Sequence, residues 1–394
     1  MKHRSTLGSL LPLALALTLA PIARAGNTWY VDGVNGDNSN DCESRQQACK
    51  TIGQAISLAS AGDSIIVAAA TYPENLGIPF SLKIVGAGAA TTILDGRGIG
   101  SEIFTANPRA IVTISQMTLR NGGGLGDGGG IYNCRSTVTI TNATISANSA
   151  NVGNGNLGYG GAIYNCPSSV LTIINSTLSG NSAEAGGAIC NGGTLTISNS
   201  TFRGKVARLH SGGGIFNYGT LVINNSTFSG NAAPGGVGGG IHNGQLLGQA
   251  GTLVINNSTF SANAARDGAG GGVSNLSGNT ATLQNSIVAN NAGGNCRGTM
   301  TSDGYNLSSD GTCNFNNAGD LNNTDPKLGP LQGNGGRTET MGLLQGSPAI
   351  DAGNPAGCTD GEGNLLTTDQ RGYPRPDRED SSGCDMGAYE RQQD

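Results

Sequence analysis

Arg203, Lys205, Arg208 and His210 stand close together in a chain that is otherwise poor in charge. Next to a carboxylate, such a group could hold an anion or move a proton as a general acid or base. Glu184 is the nearest candidate, and between residues 128 and 291 the only other acid is Asp267, which stands well away in the repeat described below. Hydrolysis between two sugars needs a pair of carboxylates about 5–10 Å apart, and these two do not make one. Asp95, Asp127, Asp369, Arg371, Asp385 and Glu390 are the remaining charges of interest. Asp369 and Arg371 read as an ion pair within a turn. Beyond the N-terminal leader the only histidines are His210 and His242, so no Ser-His-Asp arrangement is indicated. No catalytic residue is therefore assigned, and Lys205 reads as a variant turn residue before it reads as a base.

Binding chemistry has more support. Tyr132, Tyr164, Phe216 and His242 recur at one outward position, shared with Cys190 and Ser274. Aromatic rings in a row can stack on sugar rings or on a partner protein, or simply on each other. Mutual stacking is the stronger expectation. These four residues and the Arg203, Lys205, Arg208, His210 group form the candidate ligand-binding set. Asn35, Asp37, Ser39 and Asp41 alternate oxygen donors that could line a calcium ion, although a plain Gly/Asn/Asp turn accounts for them too. No other cofactor is suggested. Thr144, Thr177, Thr201, Thr227 and Thr259 make a flat column of the kind that could bind ice.

Columns exist because the chain repeats. Six units begin at Gly128, Gly160, Gly186, Gly212, Gly238 and Gly270, at offsets of 32, 26, 26, 26 and 32 residues. Each reads as three short strands separated by Gly/Asn turns. One unit cannot bury its apolar face alone; stacked units can, with Ile131, Ile163, Ile189, Ile215, Ile241 and Val273 as an inward column. Asn133, Asn165, Asn191, Asn217, Asn243 and Asn275 occupy one equivalent position, and stacked amides can bond along the axis. A second Asn column, Asn148, Asn181, Asn231, Asn263 and Asn291, is interrupted by Lys205. A propeller blade would need about 40 residues. The period fits an all-β, three-sided parallel β-helix of about eight or nine coils.

The flanks complete the organisation. Residues 1–25 have the basic start, apolar stretch and Ala-Arg-Ala end of a cleaved secretory leader. Residues 26–63 give a strand, the polar loop and a short amphipathic helix; 64–295 give the β-helix; 296–394 give a loop and an irregular cap over the last coil. Export favours disulfides. The cysteines fall into local pairs: Cys42 with Cys49, Cys134 with Cys166, Cys296 with Cys313, and Cys358 with Cys384. Cys190 is left free. With 12% charged residues and a net charge of −5, nothing points to nucleic acid, and no later segment is apolar enough to span a bilayer.

The repeats GGAIYN and LTISNSTFSGN resemble those of the polymorphic outer-membrane protein family. The opening WYVDG…ACKTIGQAISLASAGDSIIVAAATYPE resembles right-handed parallel β-helix proteins of the pectin-lyase-like superfamily, in which the short helix covers the first coil. The closing runs GSPAIDAGNP, DQRGYPRP and CDMGAYE are similar to the choice-of-anchor Q domain of exported bacterial proteins. The resemblance implies a right-handed β-helix at the cell surface or outside it, with the periplasm as the other possible location. The reading adopted is a monomeric, non-catalytic protein that binds an extracellular polysaccharide or a surface protein. Because the superfamily includes polysaccharide lyases and hydrolases, such an enzyme is the alternative, and ice binding a minor one.

Overall fold

The computed structural model describes residues 26–105, 107–152, 157–377 and 383–392. The leader expected over 1–25 lies outside them. In each repeat, alternation sends every second side chain inward, so Ile215, Leu221, Ile223 and Phe228 are wholly buried while Thr220 stays exposed. Equivalent strands pair in parallel with the next unit without register slips: Ile189 meets Ile215, which meets Ile241. Among the described residues the result is three long parallel sheets of eleven, ten and nine strands and one helix. We call them the long sheet (Thr220–Asn224 and equivalents), the threonine sheet (Thr227–Ser229) and the aromatic sheet (Ile215–Asn217). The chain is a right-handed parallel β-helix.

A fourth sheet of six very short strands, such as Ala232–Ala233, lies between the threonine and aromatic sheets. The three-strand reading of the unit omits it because strands of two or three residues made mostly of Gly, Ser, Ala, Asn and Val carry no recurrent apolar signal. The stack also runs past the six units at both ends. Thr28–Val31 and Ser64–Val67 open the long sheet, and Thr301–Ser302 closes it inside a stretch expected to be loop.

Corners are fixed by backbone chemistry. Gly128, Gly160, Gly186, Gly212, Gly238 and Gly270 all have φ between 64° and 76°. A Cβ at Gly186 would come 2.3 Å from the Ile189 carbonyl oxygen, so the tight turn into the aromatic sheet requires glycine. At the corner between the long and threonine sheets, Gln116, Asn142, Asn175, Asn199, Asn225, Asn257 and Asn285 are also left-handed. Asn tolerates that region better than other side-chain-bearing residues.

Inside, Phe202, Phe228 and Phe260 stack with centroids 4.5 and 4.6 Å apart. The first Asn column forms an unbroken ladder, each amide donating to the next oxygen at 2.7–2.8 Å from Asn133 through Asn275. All four expected disulfides are present. Cys42 bonds Cys49 in the N-terminal loop, and Cys134 bonds Cys166 between adjacent coils, their Cα atoms 4.9 Å apart. Cys296 bonds Cys313 at the end of the stack, and Cys358 bonds Cys384 in the C-terminal segment. Cys190 is free and buried. The helix, Ile52–Leu58, caps the N-terminal end with Ile52, Ala55 and Ile56 inward, while the Glu74 carboxylate accepts from the Ile52 and Gly53 amides.

The C-terminal segment takes a path the sequence did not suggest. Met300, Cys313 and Phe315 join the end of the core, so residues near 313 close the last coil. From residue 325 the chain turns back along the outside of the threonine sheet. The Gln370 side chain accepts from Thr227 Oγ1 at 2.6 Å and donates to Thr201 Oγ1 at 2.9 Å, while the Thr259 hydroxyl accepts from the Ala388 amide. The corner column grips the returning chain: Asn225 Nδ2 donates to the Thr368 carbonyl and Asn257 Nδ2 to that of Thr359. The segment is a strap along the solenoid side, where a cap over its end was expected.

Candidate functional site

The four basic residues expected to act together are separated. Arg203 leaves the threonine sheet for the strap and pairs with Glu339 at 2.8 Å. Lys205 turns inward at the break in the second Asn column; it is fully buried, its Nζ has no hydrogen-bond partner among the described residues, and burial holds its pKa well below the usual lysine value. Arg208 lies on the outer face of the short sheet, 3.6 Å from Glu184, and bonds Asn151 Oδ1 at 2.7 Å and Ser182 Oγ at 2.8 Å. His210 is exposed, and its backbone amide donates to the Glu184 carbonyl at 2.9 Å. A single Arg203–His210 patch does not exist, because alternate residues leave a strand on opposite faces and the chain then turns a corner.

What the corner assembles is different. Cross-coil hydrogen bonds align Gly158, Glu184 and His210 in one column, since the Glu184 amide bonds the Gly158 carbonyl as His210 bonds Glu184. The neighbouring column places Asp127, Tyr159 and Ala185 just before the corner glycines, and Asp127 Oδ1 accepts from the Tyr159 amide at 2.8 Å. Asp127 and Glu184 therefore stand two coils apart, roughly 9.6 Å along the axis at about 4.8 Å per coil. On the coil between them Gly158 carries no side chain, and Tyr159 stands in the Asp127 column. Burial raises the Asp127 pKa above the usual carboxylate value, against the amide bond that lowers it. Glu184 is buried, with Oε2 unpartnered among the described residues. Spacing within the units does not pair Asp127 with Glu184, because Asp127 precedes the first unit. Its register against the corner glycines is the signal that places it.

Beside this corner runs the aromatic column. Phe104 is half exposed and stacks on Tyr132 at 5.2 Å, and Tyr132 on Tyr164 at 5.6 Å. The Tyr164 hydroxyl meets that of Tyr218 at 3.2 Å, and burial pushes the Tyr164 pKa up to about 12. The lower half of the column is closed: Phe216 and His242 stack at 5.5 Å and are each only 9% exposed, with Leu246 of the hairpin Gln245–Leu246 and Gln249–Ala250 packed on the cluster. Burial lowers the His242 pKa to about 4. Of the four aromatic candidates, Tyr132 and Tyr164 remain partly exposed. Phe216 and His242 are covered.

The remaining expectations resolve locally. Asp37 Oδ1 takes the Ser39 amide and hydroxyl, Asp41 Oδ1 takes the Glu43 amide, and Asn35 Nδ2 donates to Asp32. The loop's donors are thus engaged in their own turns. In the Thr column, Thr201, Thr227 and Thr259 are buried beneath the strap, which removes the flat exposed face that ice binding requires. Asp369 pairs with Arg371 at 2.7 Å, as read from the sequence.

No family model matches the chain, and no curated protein does. Among solved structures, pectate lyase Pel9A is similar with a TM-score of 0.50 and 16% identity, over 93% of this chain and 96% of that one. A GH136 lacto-N-biosidase from Eubacterium ramulus aligns at 0.41 and 12% identity, over 72% of this chain and 64% of its own length. A PL6 family alginate lyase, AlyGC, aligns at 0.26 and 12% identity, over 73% and 53%. The pectate lyase likeness supports the fold and, at that identity, the fold alone.

Proposed function

We propose that this protein is a polysaccharide-acting β-helix enzyme whose site is the corner formed by Asp127, Glu184 and Arg208, with Tyr132 and Tyr164 as the adjoining sugar platform. The observation that carries this reading is two acidic residues in adjacent columns two coils apart, one with its pKa raised by burial, beside partly exposed stacked rings. Glycosidases in which a water attacks opposite the leaving group hold their carboxyls about 6.5–9.5 Å apart, and the backbone rise of about 9.6 Å between these two residues leaves their side chains to close the remainder. Asp127 would give its proton to the glycosidic oxygen as the C–O bond breaks. Glu184, oriented by Arg208, would take a proton from the water that forms the new C–O bond. The products are two shortened chains with inverted configuration at the new reducing end. A pectate lyase with this overall fold makes a polysaccharide the natural substrate class. Hydrolysis is favoured over elimination because Arg208, the basic residue beside Glu184, is engaged by Glu184, Asn151 and Ser182.

Binding without turnover is the second reading, supported by the stacked Phe104–Tyr132–Tyr164 strip. A panel of acidic and neutral polysaccharides separates the two. The test monitors new reducing ends, unsaturated products and the first-formed anomer by NMR. Inverted product supports hydrolysis, unsaturated ends would move the assignment to a lyase, and saturable binding with neither product would leave the binding role.

We further infer that the repeats are of the polymorphic outer-membrane protein type and that the strap is a choice-of-anchor Q domain, which would make export the setting of this activity. Four disulfides suit an oxidising compartment, and no described helix is long and apolar enough to cross a membrane. The closing motifs support the domain reading physically: Asp369, Gln370, Arg371, Arg375, Asp385 and Glu390 are the residues that hold the strap together and to the coil.

A further inference from the structure

The left-handed corner column has two halves. In the lower half its amides are consumed by the strap: Asn225 Nδ2 donates to the Thr368 carbonyl, and its Oδ1 accepts from Arg375 Nη1 at 2.8 Å. The upper half, Gln116, Asn142 and Asn175, continues beyond the strap and is bare. There it borders a cleft of about 230 Å³ that Thr144, Thr177 and Arg337 also line. Asn142 Oδ1 is buried with no hydrogen-bond partner among the described residues. The Arg337 side chain is exposed and makes no ion pair or hydrogen bond among the described residues. Its neighbours are fixed: Thr338 Oγ1 donates to the Asn199 carbonyl at 3.1 Å, and the Glu339 carbonyl accepts from Thr201 Oγ1 at 2.6 Å. The strap thus holds a guanidinium over a cleft whose acceptor is unsatisfied.

We propose that this cleft binds an acidic saccharide, with Arg337 on the carboxylate of one uronic acid residue and the Asn142, Thr144 and Thr177 side chains on its hydroxyls. The volume admits about one sugar ring. Hydroxyls and amides both donate and accept, which suits vicinal sugar hydroxyls, and a guanidinium presents the planar fork that matches a carboxylate. The covered half supplies the precedent, since there a guanidinium and a carbonyl together satisfy one corner amide. From outside, a hydroxyl of the uronic acid ring would donate to Asn142 Oδ1 in place of the guanidinium, while its carboxylate accepts from Arg337. This site lies on a different corner from the Asp127–Glu184 pair. It takes from the preceding reading only that the ligand is a saccharide, and it does not depend on turnover.

The test is a calorimetric and NMR titration of the Asp127→Asn protein, which removes turnover as a complication. The probes are trigalacturonate, its methyl ester as a neutral control, and an acetylated triglutamate peptide. The expected result is binding of trigalacturonate that weakens with salt, at least tenfold weaker binding of the ester, and amide shifts centred on residues 142–144 and 337. Arg337→Gln should weaken trigalacturonate at least tenfold with an unchanged melting temperature, and Arg337→Lys should restore part of the affinity. Equal binding of acid and ester, tighter binding of the peptide, or an unaffected Arg337→Gln variant would each overturn the proposal. Failure here with turnover intact in the wild-type protein would leave the enzymatic reading standing, and the converse holds as well.

Discussion

Lys205 shows how a residue type can mislead when its direction is unknown. Beside Arg203 and Arg208 it reads as part of a basic patch, yet it fills an Asn position in the core-facing column. The Asn148 backbone amide donates to Asn181 Oδ1, and that of Asn231 donates to Asn263 Oδ1. The column breaks at Lys205, where Asn231 Oδ1 and the lysine Nζ are both left unpartnered among the described residues. Burial disfavours the charged lysine, so the folded state binds fewer protons than the unfolded chain, and stability rises with pH through the lysine's titration range. Lys205→Asn should restore the ladder and raise stability by about 1–3 kcal/mol, measured as the denaturation midpoint. The gain should grow as pH is lowered. A destabilised variant would refute this account of the column.

At the level of strands and corners, most of the architecture was legible because burial repeats. The Ile-Tyr-Asn run, the inward Phe column and the Asn ladder each recur with the unit, and stacking in register turns recurrence into contact. The pairing of Cys134 with Cys166 followed from the same register. The ladder also carries energy: Asn191→Ala would take one partner from the amide of Asn165 and one from the oxygen of Asn217 inside the coil. The expected cost is about 2–3 kcal/mol, with hydrogen exchange accelerated first in the coils on either side. The functional corner was less legible. Insertions between the short and aromatic sheets shift residue numbers without shifting columns, so the placement of Asp127 and Glu184 in adjacent columns two coils apart emerges only once the hydrogen-bond register is known.

The whole molecule is a solenoid with a strap, and the strap's route had no periodic signal to reveal it. Gln370 meets Thr227 across 143 residues because the two surfaces complement each other, which no local pattern records. Its internal network is titratable. Arg375 pairs with Glu390 at 2.8 Å. Burial, then the Glu390 charge, pushes Asp385 up to about 8, and burial raises Glu390 as well. For Asp385 the folded pKa lies above the unfolded value of 3.8. The folded state therefore holds the extra proton, and its stabilisation is complete below about pH 4 and lost as pH rises toward 8. Amide exchange over residues 325–377 should be slower at pH 5 than at pH 8.5 after correction for intrinsic rates. Asp385→Asn should flatten that dependence.

The enzymatic reading rests on the Asp127–Glu184 corner and is tested most directly by one comparison. Wild-type, Asp127→Asn and Glu184→Gln proteins are assayed for new reducing ends on the same polysaccharide panel. The expected result is release by the wild type, reduced about 100-fold or more in each variant, with melting temperatures preserved. Release unchanged in both variants, or binding by the wild type without any release, would contradict it.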